Sequence, residues 1–362
     1  MSEKMRTYAI GSAAAVGVGL ALWTCFYRKP KKMTRGEALY RVEFCESVFH
    51  DPSTQGLDAS VVAGNFNLKE VDVGLVKAAV KVVGHLSDPL GGLSMPAATL
   101  LVETCGSYSA IAAGLYPGVT TDLTVEYFSS AKAGATVTVE GKLMKGGRNL
   151  AWAETSVRDA AGNLLVLGRQ TLFVGGRIAQ AYAFVTGLPN FVRVPLMKQV
   201  FSKNKRKTKG TFDTSTDLAA LPESAVLDYY RNYAKSENFD FIGYDKNFTG
   251  GVLLSSISAE GSIYDIKVPT TMRNYATMMH GAASAALVDN LATAGLVRAG
   301  FRAGATANLN ICFLSGASSK AKLVAETKVL HRGKHLAHAE VMIRCARTKR
   351  LHYKGIVSKY AI

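Results

Sequence analysis

Two carboxylates sit inside apolar runs of this chain. Asp289 lies about two turns into the run from Gly281 to Val297, too deep to cap a helix, and Glu103 stands at the matching place in the run that begins near Leu93. An ionised carboxylate among apolar side chains costs on the order of several kcal/mol unless water or hydrogen-bond donors reach it. A buried acid tied to a neighbouring hydroxyl or amide is the competing account, but an odd placement kept twice points to a cleft in which the acid serves as a base. His280 and Gly281 open the second run, where a helix presents unpaired backbone N–H groups at its positive end. Such an end stabilises a developing oxyanion, and a glycine leaves its N–H open to an approaching carbonyl oxygen. Asn274, six residues before His280, offers a second donor. A His-Gly pair alone is weak evidence, since a histidine there equally serves as a packed or capping residue. Its spacing from Asn274 and Asp289 makes the set fairly specific.

The elements that position these residues occur twice. Gly146 to Glu154 (GGRNLAWAE) matches Arg332 to Glu340 (RGKHLAHAE) at an offset of 186 residues, and the same offset pairs Leu93 to Glu103 with Met279 to Asp289, and Pro117 to Ala131 with Ala303 to Ala317. The chain therefore divides into an N-terminal segment, 1–33, a first unit, 34–176, a basic linker, 177–216, and a second unit, 217–362. In the second unit Gly261 to Val268 alternates like a strand, and Gly281 to Val297 has helical spacing. Ala305 to Phe313, Lys320 to Leu330, His335 to Arg344 and Leu351 to Tyr360 then alternate again, which predicts a four-strand antiparallel meander. A helix apolar on nearly all sides must be buried, and the small residues Ala282, Ala283, Ser284, Ala285 and Ala286 let a sheet curl around it. Each unit is thus α+β, with short amphipathic helices expected before it at Glu37 to Phe49 and Ser224 to Ala234.

Length and composition limit the alternatives. At 362 residues, 48% of them apolar, the chain fills about two cores, which excludes disorder as its main state. The net charge of +16 favours anionic partners, but eleven of those charges lie in two runs: Arg28, Lys29, Lys31, Lys32 and Arg35, and Lys198, Lys203, Lys205, Arg206, Lys207 and Lys209. No folded face interleaves cations with aromatics, so nucleic-acid binding is not expected. Tyr8 to Phe26 is 19 residues without a charge, long enough to span a hydrocarbon core, and reads as a membrane anchor. A secretory signal peptide is the main rival, but the small-residue cleavage pattern is missing after the run. The heavier basic flank on its C-terminal side puts the rest of the chain in the cytosol. Residues 181–209, broken by Pro189 and Pro195, are a further candidate for lipid contact rather than a second span. The five cysteines, odd in number and without C-x-x-C, encode neither a disulfide framework nor a zinc module.

Asn274, His280-Gly281, Asp289, the small-residue helix and the later strand Gly304 to Asn310 (GATANLN) together resemble the hotdog-fold acyl-CoA thioesterases of the phenylacetate-pathway, thioesterase superfamily member 2 type. The resemblance covers essentially all of each unit and implies a double hotdog, with an antiparallel sheet wrapped around a central helix in each copy. By position it implies that Gly281 N–H and the Asn274 amide polarise a thioester carbonyl, that Asp289 activates water or attacks, and that Thr306 orients the water. In the first unit the matching residues are Met95, Asp88, Glu103 and Thr120, with Ser94 in place of the histidine. The carboxylate and hydroxyl are kept there, while the oxyanion side is degraded: Met95 adds bulk, Pro96 follows, and an ionised Asp88 cannot donate.

The family builds its sites across a dimer, so a pseudo-dimer of the two halves would bring Glu103 to Asn274, His280 and Gly281, and Asp289 to Ser94 and Met95. One working and one vestigial site then follow, and a further homodimer stays open. The expected activity is hydrolysis of fatty acyl-CoA to a free acid and CoA with no metal or other cofactor, coenzyme A being part of the substrate. Arg148, Arg332 and Lys334 are candidates to touch its phosphates, against a reading as solvated loop cations. His331, His335 and His338 imitate metal-ligand spacing, yet their counterparts Lys145, Asn149 and Trp152 cannot form such a site, so no metal is expected. A non-catalytic acyl-CoA or lipid-binding module is the alternative function. A hotdog dehydratase fits less well, because His280 is placed for oxyanion binding rather than as an acid facing a helix carboxylate. The anchor resembles those of the mitochondrial outer membrane, with the endoplasmic reticulum as the other candidate.

Overall fold

The computed structural model describes residues 33–49, 66–88, 90–115, 118–175, 252–257, 261–269, 272–274, 278–302, 304–318 and 320–361. The anchor read at Tyr8 to Phe26, the basic linker and the helix expected at Ser224 to Ala234 lie outside these residues. Among the described residues no helix is long and apolar enough to cross a membrane.

Among the described residues each unit has six strands and one central helix. In the first, α1 (Arg35–Phe49) precedes the hairpin β1 (Phe66–Asp72) and β2 (Leu75–Lys81), then α2 (Met95–Ala112), β3 (Val119–Tyr127), β4 (Thr136–Gly146), β5 (Leu150–Arg158) and β6 (Leu164–Phe173). The second repeats this order with β7 (Val252–Ile257), β8 (Gly261–Lys267), α3 (Gly281–Arg298), β9 (Gly304–Phe313), β10 (Lys322–Arg332), β11 (Leu336–Cys345) and β12 (Leu351–Ala361). Ala38, Val42 and Cys45, at helical spacing on α1, are buried, and α1 lies against α2 and β1.

The strands form one antiparallel sheet of twelve in the order β1-β2-β4-β5-β6-β3-β9-β12-β11-β10-β8-β7. The four-strand meander expected after the helix is therefore corrected. β10, β11 and β12 are consecutive neighbours, but β9 lies beyond β12, not beside β10. Its reason is the seam: β9 must reach the border of its unit to pair with β3 of the other. There Asp122 faces Cys312, Thr124 faces Asn310 and Glu126 faces Asn308. The 186-residue offset exchanges the Asp122–Cys312 and Glu126–Asn308 pairs and carries Thr124–Asn310 onto itself, so a local two-fold axis passes between Thr124 and Asn310, whose Nδ2 donates to Thr124 Oγ1 at 2.8 Å.

The two central helices end alike. Gly114 and Gly300 take positive φ values of 87° and 84°, which glycine adopts without steric cost. Their N–H groups donate to Ile111 and Val297, and the residues after them, Leu115 and Phe301, donate to Ala110 and Leu296. Both helices thus close in the paired-bond motif that satisfies the last carbonyls. Nearly every side chain of both helices is buried, as their composition requires, and the two helices touch each other under the sheet.

Candidate active site

His280 is the residue before α3, with extended backbone, and its Nδ1 accepts from the N–H of Ala282 at 3.1 Å, so the ring caps the helix. Ser94 does the same for α2, accepting from Ala97 N–H at 3.3 Å, and Pro96 follows in the first turn, where no intrahelical N–H is needed. The strand-like approach to α3 is pinned by His280 N–H to Met272 O at 2.8 Å and Met279 N–H to Ala317 O at 2.9 Å. Asn274 holds the same loop: its Oδ1 accepts from Met278 N–H at 3.0 Å, which fixes the orientation of its amide. Asp88 performs this task in the first unit, accepting from Leu90 and Gly92 at 2.9 and 3.0 Å. Burial pushes the Asp88 carboxyl above the usual carboxylate range, against the opposing pull of those backbone donors.

Glu103, from the middle of α2, crosses to the start of α3. Its Oε2 lies 3.4 Å from His280 Nδ1, and Thr120 Oγ1 donates to its Oε1 at 3.0 Å. The contact with Gly281 is closer still. A β-carbon on residue 281 would overlap Glu103 Oε1 and would stand 3.0 Å from Cδ. Glycine is the residue that lets the carboxylate lie against this backbone. The His280 Nδ1 thus stands between the Ala282 N–H and the Glu103 carboxylate. The result is an acid from one unit, steadied by its own unit's hydroxyl, beside the positive end of a buried helix of the other unit. Tyr353 adds to the wall of this region: its hydroxyl accepts from Ala317 N–H at 3.1 Å, and burial, with a smaller contribution from the charge of Glu103, pushes the phenol above its ordinary value.

The other carboxylate has different company. Asp289 Oδ1 accepts from Thr306 Oγ1 at 2.9 Å, and its Oδ2 pairs with Lys359 Nζ at 2.8 Å. Lys359 Nζ is also 2.6 Å from Thr306 Oγ1, and the lysine and aspartate side chains are each only 6% exposed. On the first unit's side, Thr99 Oγ1 lies 2.5 Å from Tyr127 Oη and 3.3 Å from Met95 Sδ. Tyr127 is held well above the ordinary phenol range by burial, with Asp289 adding to the rise.

The remaining candidates lie elsewhere. Arg332 donates to the carbonyl of Ala299, just past the end of α3, about 27 Å along that helix from Gly281 at 1.5 Å per residue. Arg148 and Lys334 are exposed in the turns β4–β5 and β10–β11. His331 and His338 face each other across those strands with ring centroids 6.2 Å apart, while His335 stacks on Tyr360. Among the described residues no group of three or more His, Cys, Asp or Glu could hold a metal ion.

Lys359 is the residue that sequence reasoning missed. The alternation of β12 gives the signal, since Gly355, Val357 and Ala361 point inward and Lys359 stands on the same face. A lysine at an inward position of a core strand demands a partner.

Comparison with known proteins agrees with the duplicated architecture. The Thioesterase superfamily family model matches the chain twice, at residues 93–166 and 276–351. Acyl-coenzyme A thioesterase 13 of Homo sapiens is 29% identical over 116 residues, 32% of this chain and 83% of that protein. Among solved structures, one described as a thioesterase from Novosphingobium aromaticivorans superposes with a TM-score of 0.50 at 14% identity, covering 82% of this chain and 98% of its own. Another, named as an oleoyl thioesterase from Lactobacillus plantarum, gives 0.50 at 9% identity over 80% and 99% of the two chains. These structural likenesses concern the hotdog thioesterase fold with two tandem domains.

Proposed function

We propose that this chain, matched by the Thioesterase superfamily in both of its units, is an acyl-CoA thioesterase that hydrolyses fatty acyl-CoA at a site built between them. The observation that carries the reading is the packing of the Glu103 carboxylate against Gly281 at the start of α3. The thioester carbonyl binds at that helix end, where the Gly281 N–H and the Asn274 amide take up the charge that develops on oxygen. Glu103, oriented by Thr120, removes a proton from water as its oxygen attacks the carbonyl carbon. Collapse of the tetrahedral intermediate breaks the C–S bond, and the proton held by Glu103 passes to the leaving sulfur. Acyl-CoA and water become a carboxylic acid and CoA, with Glu103 returned to its starting form. His280 fixes the first turn of the helix and borders the carboxylate.

The uncharged run at 8–26 with its basic flank supports tethering to a membrane with the catalytic units on the cytosolic side, the mitochondrial outer membrane being the first to test. A membrane surface suits long-chain acyl-CoA, which partitions there. The experiment is release of CoA from a panel of short to long acyl-CoAs, followed with a thiol reagent, for the native chain and for Glu103→Gln. Loss of turnover by roughly 100-fold or more in the variant, the scale of a missing general base, is the expected result. Saturable acyl-CoA binding by the native chain without any release would overturn the hydrolase reading and favour a binding protein.

A further inference from the structure

The last strands of the two units are related by 187 residues, not 186, because the turn before β12 is one residue longer: Arg158 pairs with Leu164, but Arg344 pairs with Leu351. Glycines confirm the shift. Gly168 lies under Val102 of α2 and Gly355 under Val288 of α3, each where a β-carbon would press on the valine. By this register Lys359 stands where the first unit has Leu172, and the ladders agree, since Leu172 faces Thr120 and Lys359 faces Thr306. Leu172 is fully buried in a small apolar cluster with Ala110, Ala151 and Val174, and it brings no charge toward Glu103.

We propose that Lys359 silences the second composite site by holding Asp289 in a closed ion pair, so that each chain hydrolyses at the Glu103 site alone. The inference rests on the hydrolase reading above. Lys359 Nζ, Thr306 Oγ1 and the two oxygens of Asp289 form a closed ring of contacts between 2.6 and 2.9 Å. Both carboxylate oxygens are engaged from within their own unit, and a water that is to lose its proton to Asp289 must first displace an ammonium. Opposite charges so deeply buried attract strongly because little solvent screens them. The degraded entrance of α2, with Met95 where α3 has Gly281, fits a site that no longer turns over.

The decisive test transplants the lysine. Leu172→Lys places the same ammonium beside Thr120 and Glu103, and turnover should fall by about 100-fold or more with KM changed less than about threefold, as when a general base is withdrawn. Leu172→Met, an unbranched side chain one atom shorter than lysine and uncharged, should keep turnover within about threefold of native. A folded Leu172→Lys chain with native turnover, or equal losses in both variants, would overturn the assignment. A second measurement uses the native chain and does not depend on that variant folding. Carbodiimide-driven coupling of glycinamide, read residue by residue by mass spectrometry, should label Glu103 at least about tenfold faster than Asp289, whose oxygens the ammonium covers. Equal labelling of the two acids would overturn the proposal. If the native chain releases no CoA, the hydrolase reading falls, while the labelling contrast still decides whether Lys359 shields Asp289.

Discussion

Glu103 and His280 belong to different copies of a duplicated unit, yet Glu103 Oε2 lies 3.4 Å from His280 Nδ1. The first copy supplies the acid and its hydroxyl; the second supplies the helix start and the loop that carries Asn274. Neither copy alone holds the complete set, and the sheet seam between β3 and β9 fixes their relative position.

Substitution at Gly281 separates catalysis from folding. In Gly281→Ala the new methyl meets the end of a flexible side chain, the Glu103 carboxylate, rather than backbone. Alanine at a helix start is at least as favourable as glycine, by up to about 1 kcal/mol. Thermal unfolding should therefore stay near native or rise, while CoA release falls because the acid is pushed from its place.

The Lys359–Asp289 pair should be costly to break and cheap to replace. Lys359→Met leaves a buried carboxylate without its cation and should lower stability by about 3–5 kcal/mol in urea unfolding. Lys359→Leu combined with Asp289→Leu should recover most of that loss, since well-packed apolar side chains often equal a buried ion pair. Asp289→Asn should leave turnover at the Glu103 site largely intact, and an abolished activity would count against a silent second site.

Close packing at the two matched glycines gives a test of the register. A β-carbon at 355 would lie 2.5 Å from Val288 Cγ1, and one at 168 would overlap Val102 Cγ1. Gly168→Ala and Gly355→Ala should each cost about 1–3 kcal/mol by overpacking. Trimming the facing valine, as in Gly355→Ala with Val288→Ala, should return part of it, whereas an additive double variant would mean that these residues do not touch.

Asp88 predicts a pH effect of definite sign. Its carboxyl is raised by burial, so the ionised form is disfavoured in the folded chain relative to the unfolded one. Asp88→Asn keeps the acceptor that Leu90 and Gly92 use and removes the charge. The variant should be more stable than native at neutral pH, and its advantage should shrink as pH falls through the carboxylate range. An advantage that grows on acidification would refute this account.

The duplication and the buried helices were legible because the repeated residues keep one spacing over most of each unit, whereas the approach of Glu103 to the second helix start followed only from the resemblance, which implies sites built across a dimer. The first strand of each unit was less so: β7 reads VLLSSI and lies at the sheet edge, with half-exposed apolar residues and no clean alternation. Strand order was misread because consecutive alternating segments suggest a meander, whereas the position of β9 is set by a partner 186 residues away. Lys359 was hidden by the single extra residue before β12, which placed Phe173 opposite it in the simple alignment instead of Leu172. Asn274 shows a different limit, since spacing reveals an amide near the helix but not that its oxygen is committed to Met278.

At the seam, Thr124 meets Asn310 on the local two-fold axis, two unlike side chains where an assembly of identical chains would set a residue against its own copy. Covalent fusion has made the halves separately mutable. A homodimer suffers every substitution at both of its clefts together, so a disabling lysine would be lethal to its activity; in a fused chain one cleft can drift into a structural role while its twin stays under selection for chemistry.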